Sequence, residues 1–300
     1  MKNVMDASVI ELKPPTTYEE QLDLLRSRGL IIPNEVNAIT VLKRINYYRF
    51  TAYTLTFKEN DKFFSNVTFD TIYRHYEFDA RLRQHVMKIV EYVEIAFRTH
   101  IAYTIAHNYG SEGHKSTSMY HNSDWCIELN SELERCISKS KDPFVLHHLS
   151  KYSGKFPIWV AVEVLTFSWL SKLYKNLRIK DKKIISKFYN VHFDEISNWL
   201  HTLTIVRNRC AHYSRLFNQK LPVNVKFREK DKRFEIRDNQ LYAIIFNMQY
   251  LIKEDQTWNS WVAELESIIE NYDEVNIRLL GFPEQWKSYL YARLGCSMNK

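Results

Sequence analysis

Between Trp199 and Asn218 the chain reads W-L-H-T-L-T-I-V-R-N-R-C-A-H-Y-S-R-L-F-N, a stretch that gathers side chains able to do chemistry: Arg207, Asn208 and His212. An imidazole titrates near neutral pH and can take or give a proton, and a guanidinium fork can clamp phosphate oxygens through paired, charge-assisted hydrogen bonds. Together they suit RNA cleavage. The ribose 2′-hydroxyl would attack the adjacent phosphorus with His212 as general base or acid, while Arg207 stabilises the charge on the phosphorane.

The periodicity predicts one helix from Asp194 to Asn218. Leu200, Leu203, Val206 and Cys210 form its buried stripe, and His201, Thr204, Asn208, His212 and Arg215 fall within an arc of roughly 80° at about 100° per residue. A polar seam of this kind is costly to bury without partners. Arg207 lies about 140° from His212 on an ideal helix, so it is expected to reach a phosphate from the flank. The bare spacing of Arg and His carries no weight, because chance supplies such a pair in a chain this rich in both residues.

The rest of the chain has to position this helix. With 45% apolar and 14% aromatic residues among 300 it can bury a large core, and six glycines and seven prolines are too few for a turn-rich β fold. The expectation is an all-α, single-domain chain over residues 1–300. Thr17-Tyr-Glu-Glu20 reads as a capping box, Gly29 as a helix stop and Asn34 as the cap of a second helix. From Thr68 to Asn108 there is no Gly or Pro, and Leu82, Val86, Ile89, Val90, Val93, Phe97 and Ile101 make one apolar face, predicting one very long helix or two abutting ones. Further helices are expected at 124–138, 143–151, 157–177, 180–189, 240–254 and 257–272. Between Arg228 and Asp238, where Phe234 and Ile236 alternate with charges, a short hairpin or loop is expected.

Some function classes recede. No apolar run approaches the roughly 20 residues of a membrane span, and Asp6, Glu11 and Pro14 interrupt any signal-peptide core, so a cytoplasmic protein with no membrane partner is expected. Cys126, Cys136, Cys210 and Cys296 lack metal or disulfide spacing and read as buried reduced thiols. His100, His107, His114 and His121 recur every seven residues, but the loop after Gly110 breaks any common face, and no site for a metal is expected. The charge of +7 fits a polyanionic partner such as RNA.

The text around Arg207 adds more. Arg207-Asn-Arg-Cys-Ala-His-Tyr-Ser-Arg-Leu-Phe-Asn218 resembles the R-N-x-x-A-H-x-x-R-L-[WF]-N signature of the Abi-like abortive infection proteins, the AbiD/AbiF group. Asn46 to Tyr53 resembles that family's Y-Y-R-x-x-x-Y block, and Phe78 to Arg83 with Val93 to Arg98 its F-D-x-x-L-R and E-I-x-x-R helix. Pro157 to Phe167 resembles its P-I-W-x-x-x-E-V-x-T-F block, and Gly281 to Trp286 its C-terminal turn. The likeness covers about residues 18–290.

The family's R-N-x-x-x-H element is of the kind found in HEPN-type helical RNases, which work without metal or other cofactor and pair two motifs in one composite site. The resemblance implies catalytic roles for Arg207, Asn208 and His212, with Arg215 and Asn218 supporting the turn after the helix. It further implies the toxic effector of an anti-phage or toxin-antitoxin system, with RNA as substrate and a small-RNA antitoxin as resident partner. No second Arg-x(4–6)-His occurs in the chain, so a composite site calls for a homodimer.

Site support is expected from His201 and from three charged residues. Glu94 and Arg98 lie one helical turn apart and can brace each other. Glu163, a lone acid amid apolar neighbours, is expected to find Arg207 or Arg98. Tyr47 to Tyr53 fits aromatic core packing better than base stacking. Two rival functions stay open: a non-catalytic RNA-binding module that holds a structured RNA without cutting it, and a protein–protein adaptor.

Overall fold

The Thr17 side chain accepts the backbone N–H of Glu20 at 3.1 Å while Glu20 Oε2 accepts that of Thr17 at 2.7 Å, so the chain's first helix begins at the capping box that its sequence announces. The computed structural model describes Leu12 and residues 14–293. Cys296 and most of the Met1–Thr17 segment lie outside the described residues. The described chain is helical apart from one two-stranded sheet, and its fold class is all-α.

Residue contacts divide the chain into two compact units, residues 1–77 and 78–300. The first holds α1 (Tyr18–Ser27), α2 (Glu35–Ile45) and α3 (Tyr47–Thr51), then the hairpin of β1 (Lys58–Glu59) and β2 (Lys62–Phe63). Asn34 caps α2 by accepting the N–H of Asn37. Leu22, Leu25, Ala38, Leu42 and Ile72 make its core, with Phe50 stacked on Phe69 at 4.3 Å. Phe50 and Tyr53 of the aromatic block are therefore core residues, as expected, whereas Tyr48 is 85% exposed.

α4 (Phe69–Tyr109) is one continuous helix that gives residues 69–77 to the first unit and the remainder to the second. Every member of its expected apolar stripe from Leu82 to Ile101 is buried. Gly110, at φ 85°, ends it. The second unit continues with α5 (Asp124–Lys139), α6 (Pro143–Lys151), α7 (Ile158–Val164), α8 (Phe167–Asn176), α9 (Ile179–Tyr189), α10 (Phe193–Ala211), α11 (Leu241–Leu251), α12 (Asp255–Glu270) and α13 (Trp286–Tyr291). All of α11 is buried, making it the unit's central helix, and α10 packs against α8, α9 and α11.

The structure corrects two expected elements here. The segment 157–177 is two helices, broken where Thr166 caps α8 by accepting the N–H of Trp169. The segment 228–238 forms no hairpin: Glu229–Phe234 is a 3-10 helix, drawn in by the buried Asp231, which takes the Tyr250 hydroxyl. Cys126 and Cys210 are buried free thiols and Cys136 is half-buried. Among the described residues, no helix is long and apolar enough to cross a membrane.

Candidate functional site

α10 starts where His192 Nδ1 accepts the N–H of Asp194 at 3.4 Å and Glu195 reaches back to the N–H of His192 at 3.1 Å. Ile196, Trp199, Leu200, Leu203, Val206 and Cys210 are buried along one face. Trp199 fixes the helix further, donating its indole N–H to the Lys226 carbonyl at 2.6 Å and stacking on Tyr250.

The helix ends at Ala211, seven residues short of the expected Asn218. The N–H of Ser214 returns to the Arg209 carbonyl at 2.8 Å and that of Tyr213 to Cys210 at 3.1 Å. This six-to-one and five-to-two pair is a Schellman stop, and it puts Tyr213 at φ 57°, where glycine is the usual occupant. His212 is thus the C-cap, its N–H still bonded to the Asn208 carbonyl at 3.0 Å. The expected five-residue polar seam is cut accordingly. His201 and Asn208 are exposed on the helix and His212 is exposed at its end. Thr204 is buried, donating to the His201 carbonyl, and Arg215 lies beyond the helix.

What holds the chain after the stop is Asp79. Its fully buried carboxylate accepts the backbone N–H of Leu216 at 3.1 Å and of Phe217 at 2.8 Å, and pairs with buried Arg83 one turn along α4. Leu216 and Phe217 are buried beside it, while Asn218 turns the chain away at φ 51°. Cys210 belongs to the same buried region, and burial pushes its thiol up to about 12, out of reach as a nucleophile at neutral pH. The sequence shows the F-D-x-x-L-R block but not this role. The only local signal is an Asp and an Arg four apart on an otherwise apolar helix face.

A second set of α4 side chains meets α10. Arg98 donates to Glu94 Oε1 at 2.5 Å and to the carbonyls of Val162 and Leu165, the latter at 2.8 Å. The break between α7 and α8 is what turns the Leu165 carbonyl to Arg98, since inside a continuous helix that oxygen would be spent on the ladder. Glu94 Oε2 in turn lies 3.9 Å from Arg207 Nε, and Arg207 Nη1 donates to Asn208 Oδ1 at 3.3 Å. Arg207 Nε is buried with no hydrogen-bond partner, so the charge of Glu94 restrains it without saturating it.

The structure therefore brings Glu94, Arg98, Arg207 and Asn208 into one chain of contacts, with His212 one helical turn beyond Asn208. Glu163 does not join it. That carboxylate is exposed on α7, and Arg98 is met by Glu94 and two backbone oxygens. Arg215 and Asn218 flank the two residues that Asp79 holds. The arrangement offers a positioned guanidinium, an amide and an accessible imidazole, a set that can bind a phosphodiester and move a proton.

The family model for Abi-like protein matches residues 40–218, from α2 through the closing Asn218 of the signature. No curated protein and no solved structure matches the chain. The match covers more than half of the sequence, and the chain belongs to the Abi-like protein family.

Proposed function

We propose that this protein is a HEPN-type, metal-independent endoribonuclease. The Abi-like family implies abortive infection defence, and on our reading RNA cleavage is the toxic step of that defence. The observation that carries the reading is the restraint of Arg207 by Glu94, itself clamped by Arg98, on the helix that His212 caps.

The chemistry needs no outside nucleophile. The ribose 2′-hydroxyl gives its proton to an imidazole as its oxygen bonds to phosphorus, and the P–O5′ bond breaks as the leaving 5′-oxygen gains a proton. The ends are a 2′,3′-cyclic phosphate and a 5′-hydroxyl. His212 is exposed and can serve either proton transfer, while Arg207 meets the non-bridging oxygens as charge builds on them. Asn208, bonded to Arg207, orients it, and His201 lines the same helix two turns earlier.

Base and acid are both needed, and one chain supplies one such motif. A two-fold homodimer brings a second His212 to the scissile bond. Tyr213, 69% exposed next to His212, and Ile95, 55% exposed next to Glu94, offer apolar surface for that contact. A small structured RNA would fit the same cationic groups as a resident inhibitor.

The experiment is incubation of the purified protein with RNA in EDTA, with the ends mapped. Cyclic-phosphate ends that vanish in a clean His212→Ala variant are expected. Undiminished cutting by that variant would sink the assignment, and salt-dependent binding with the RNA left intact would favour a non-catalytic RNA-binding module.

A further inference from the structure

We propose that the exposed lysine face of α9, together with the hollow at its start, is the track that holds the RNA backbone. This rests on RNA being the protein's ligand, but on residues outside the signature. α9 packs directly on α10.

The hollow has a volume of about 480 Å³ and is lined by Ser118, His121, Arg178, Ile179 and Lys180, with no carboxylate among them. Arg178 is held in place: its Nε donates to the Ser118 carbonyl at 3.0 Å and its backbone N–H to Met119 at 3.1 Å. Its two terminal nitrogens are left to face an anion. Lys180 rests its ammonium 5.1 Å from the centre of the Tyr109 ring, and among the described residues no carboxylate forms an ion pair with it.

From the hollow the charge continues along the helix. Lys180, Lys183 and Lys187 are exposed and fall within an arc of about 60° at 100° per residue. They span about 10 Å of the axis, over which a nucleic-acid strand carries about three phosphates. The one acid of α9, Asp181, does not neutralise them. It is fully buried and bonded to Asn108 Nδ2 at 2.7 Å and the Tyr109 hydroxyl at 2.6 Å. One residue after Lys187 and about 100° round the helix from it, Phe188 is exposed with its ring 4.4 Å from that of His100, a surface on which a base can stack. A continuous run of cations with its only carboxylate turned inward is the pattern that tracks a phosphate backbone.

The test is fluorescence anisotropy of a labelled 20-nucleotide single-stranded RNA over a series of salt concentrations. It uses the full chain carrying His212→Ala so that the probe stays intact. With Lys180→Ala, Lys183→Ala and Lys187→Ala combined, the slope of log affinity against log salt is expected to fall by about 2, at about 0.7 per lost phosphate contact. The triple Lys→Arg variant keeps the slope. An unchanged slope in the alanine variant overturns the track, and so does a variant that loses binding only to phosphatidylglycerol vesicles, which would assign the face to a lipid surface.

The two readings separate cleanly. Cleavage by the native chain with an unchanged slope removes the track alone. A reduced slope without any cleavage keeps the track and removes the nuclease.

Discussion

The carboxylate of Asp79 accepts the backbone N–H of Phe217 at 2.8 Å across 138 residues of sequence, tying the segment after α10 to the long helix α4. The same buried group takes the N–H of Leu216 and the charge of Arg83. Asp79→Ala leaves two buried amides without their acceptor and removes the carboxylate that pairs with buried Arg83, and a loss of about 3–5 kcal/mol is expected in urea unfolding. Asp79→Asn keeps an acceptor for the amides and should cost less. Equal losses from the two would show that the charge of Asp79 is immaterial.

On the proposed reaction, the charge chain from Arg98 through Glu94 serves to restrain Arg207. Arg207→Lys keeps a cation near Glu94 but loses the planar fork, so on the proposed reaction the cleavage rate should fall about 100-fold. The melting temperature should stay within about 2 °C, because the side chain is partly exposed and makes one long hydrogen bond, to the neutral amide of Asn208. Lysine rescue of the rate would mean that Arg207 acts only as a point charge.

Local signals of the fold were legible because their partners sit within a few residues. The Thr17 and Asn34 caps and the glycine after α4 each act over one turn, and the apolar stripe of α4 repeats at helical spacing. Glu94 and Arg98 were readable for the same reason. The break at Thr166 was not, since Leu165 and Phe167 continue an apolar run and the group that uses the freed Leu165 carbonyl is Arg98, 67 residues away. The end of α10 was missed because a stop of its kind normally announces itself with glycine, and here Tyr213 occupies the position. Glu163 misled for a related reason: its apolar neighbours in sequence face the core, while its own side of α7 faces solvent.

That tyrosine sets up its own prediction. A non-glycine residue at positive φ costs on the order of 1 kcal/mol, and a β-branched residue there costs more. Tyr213→Gly should therefore be more stable than Tyr213→Val by at least about 1 kcal/mol in chemical denaturation. If Tyr213 also packs across the proposed dimer contact, both variants should shift sedimentation towards monomer. Identical stability of the two would mean that the left-handed turn is absent in solution.

The acid limb of stability should be steepened by His114. It is buried between α4 and α5 with Nδ1 lacking a hydrogen-bond partner, and burial, helped by Lys115, pushes its pKa down to about 4. The unfolded chain then binds a proton near pH 6.5 that the folded chain refuses until about pH 4. Between those values the unfolded state holds more protons, so stability rises with pH and is lost as pH falls through this window, by up to about 3 kcal/mol. Below about pH 4 both states are protonated and the contribution is flat. Burial lowers His85 and His100 in the same direction, so the loss on acidification is shared. His114→Gln removes one titrating group, and urea unfolding from pH 7 to pH 4 should show a shallower decline than in the native chain. Parallel declines would show that His114 is solvated and titrates normally in the folded state.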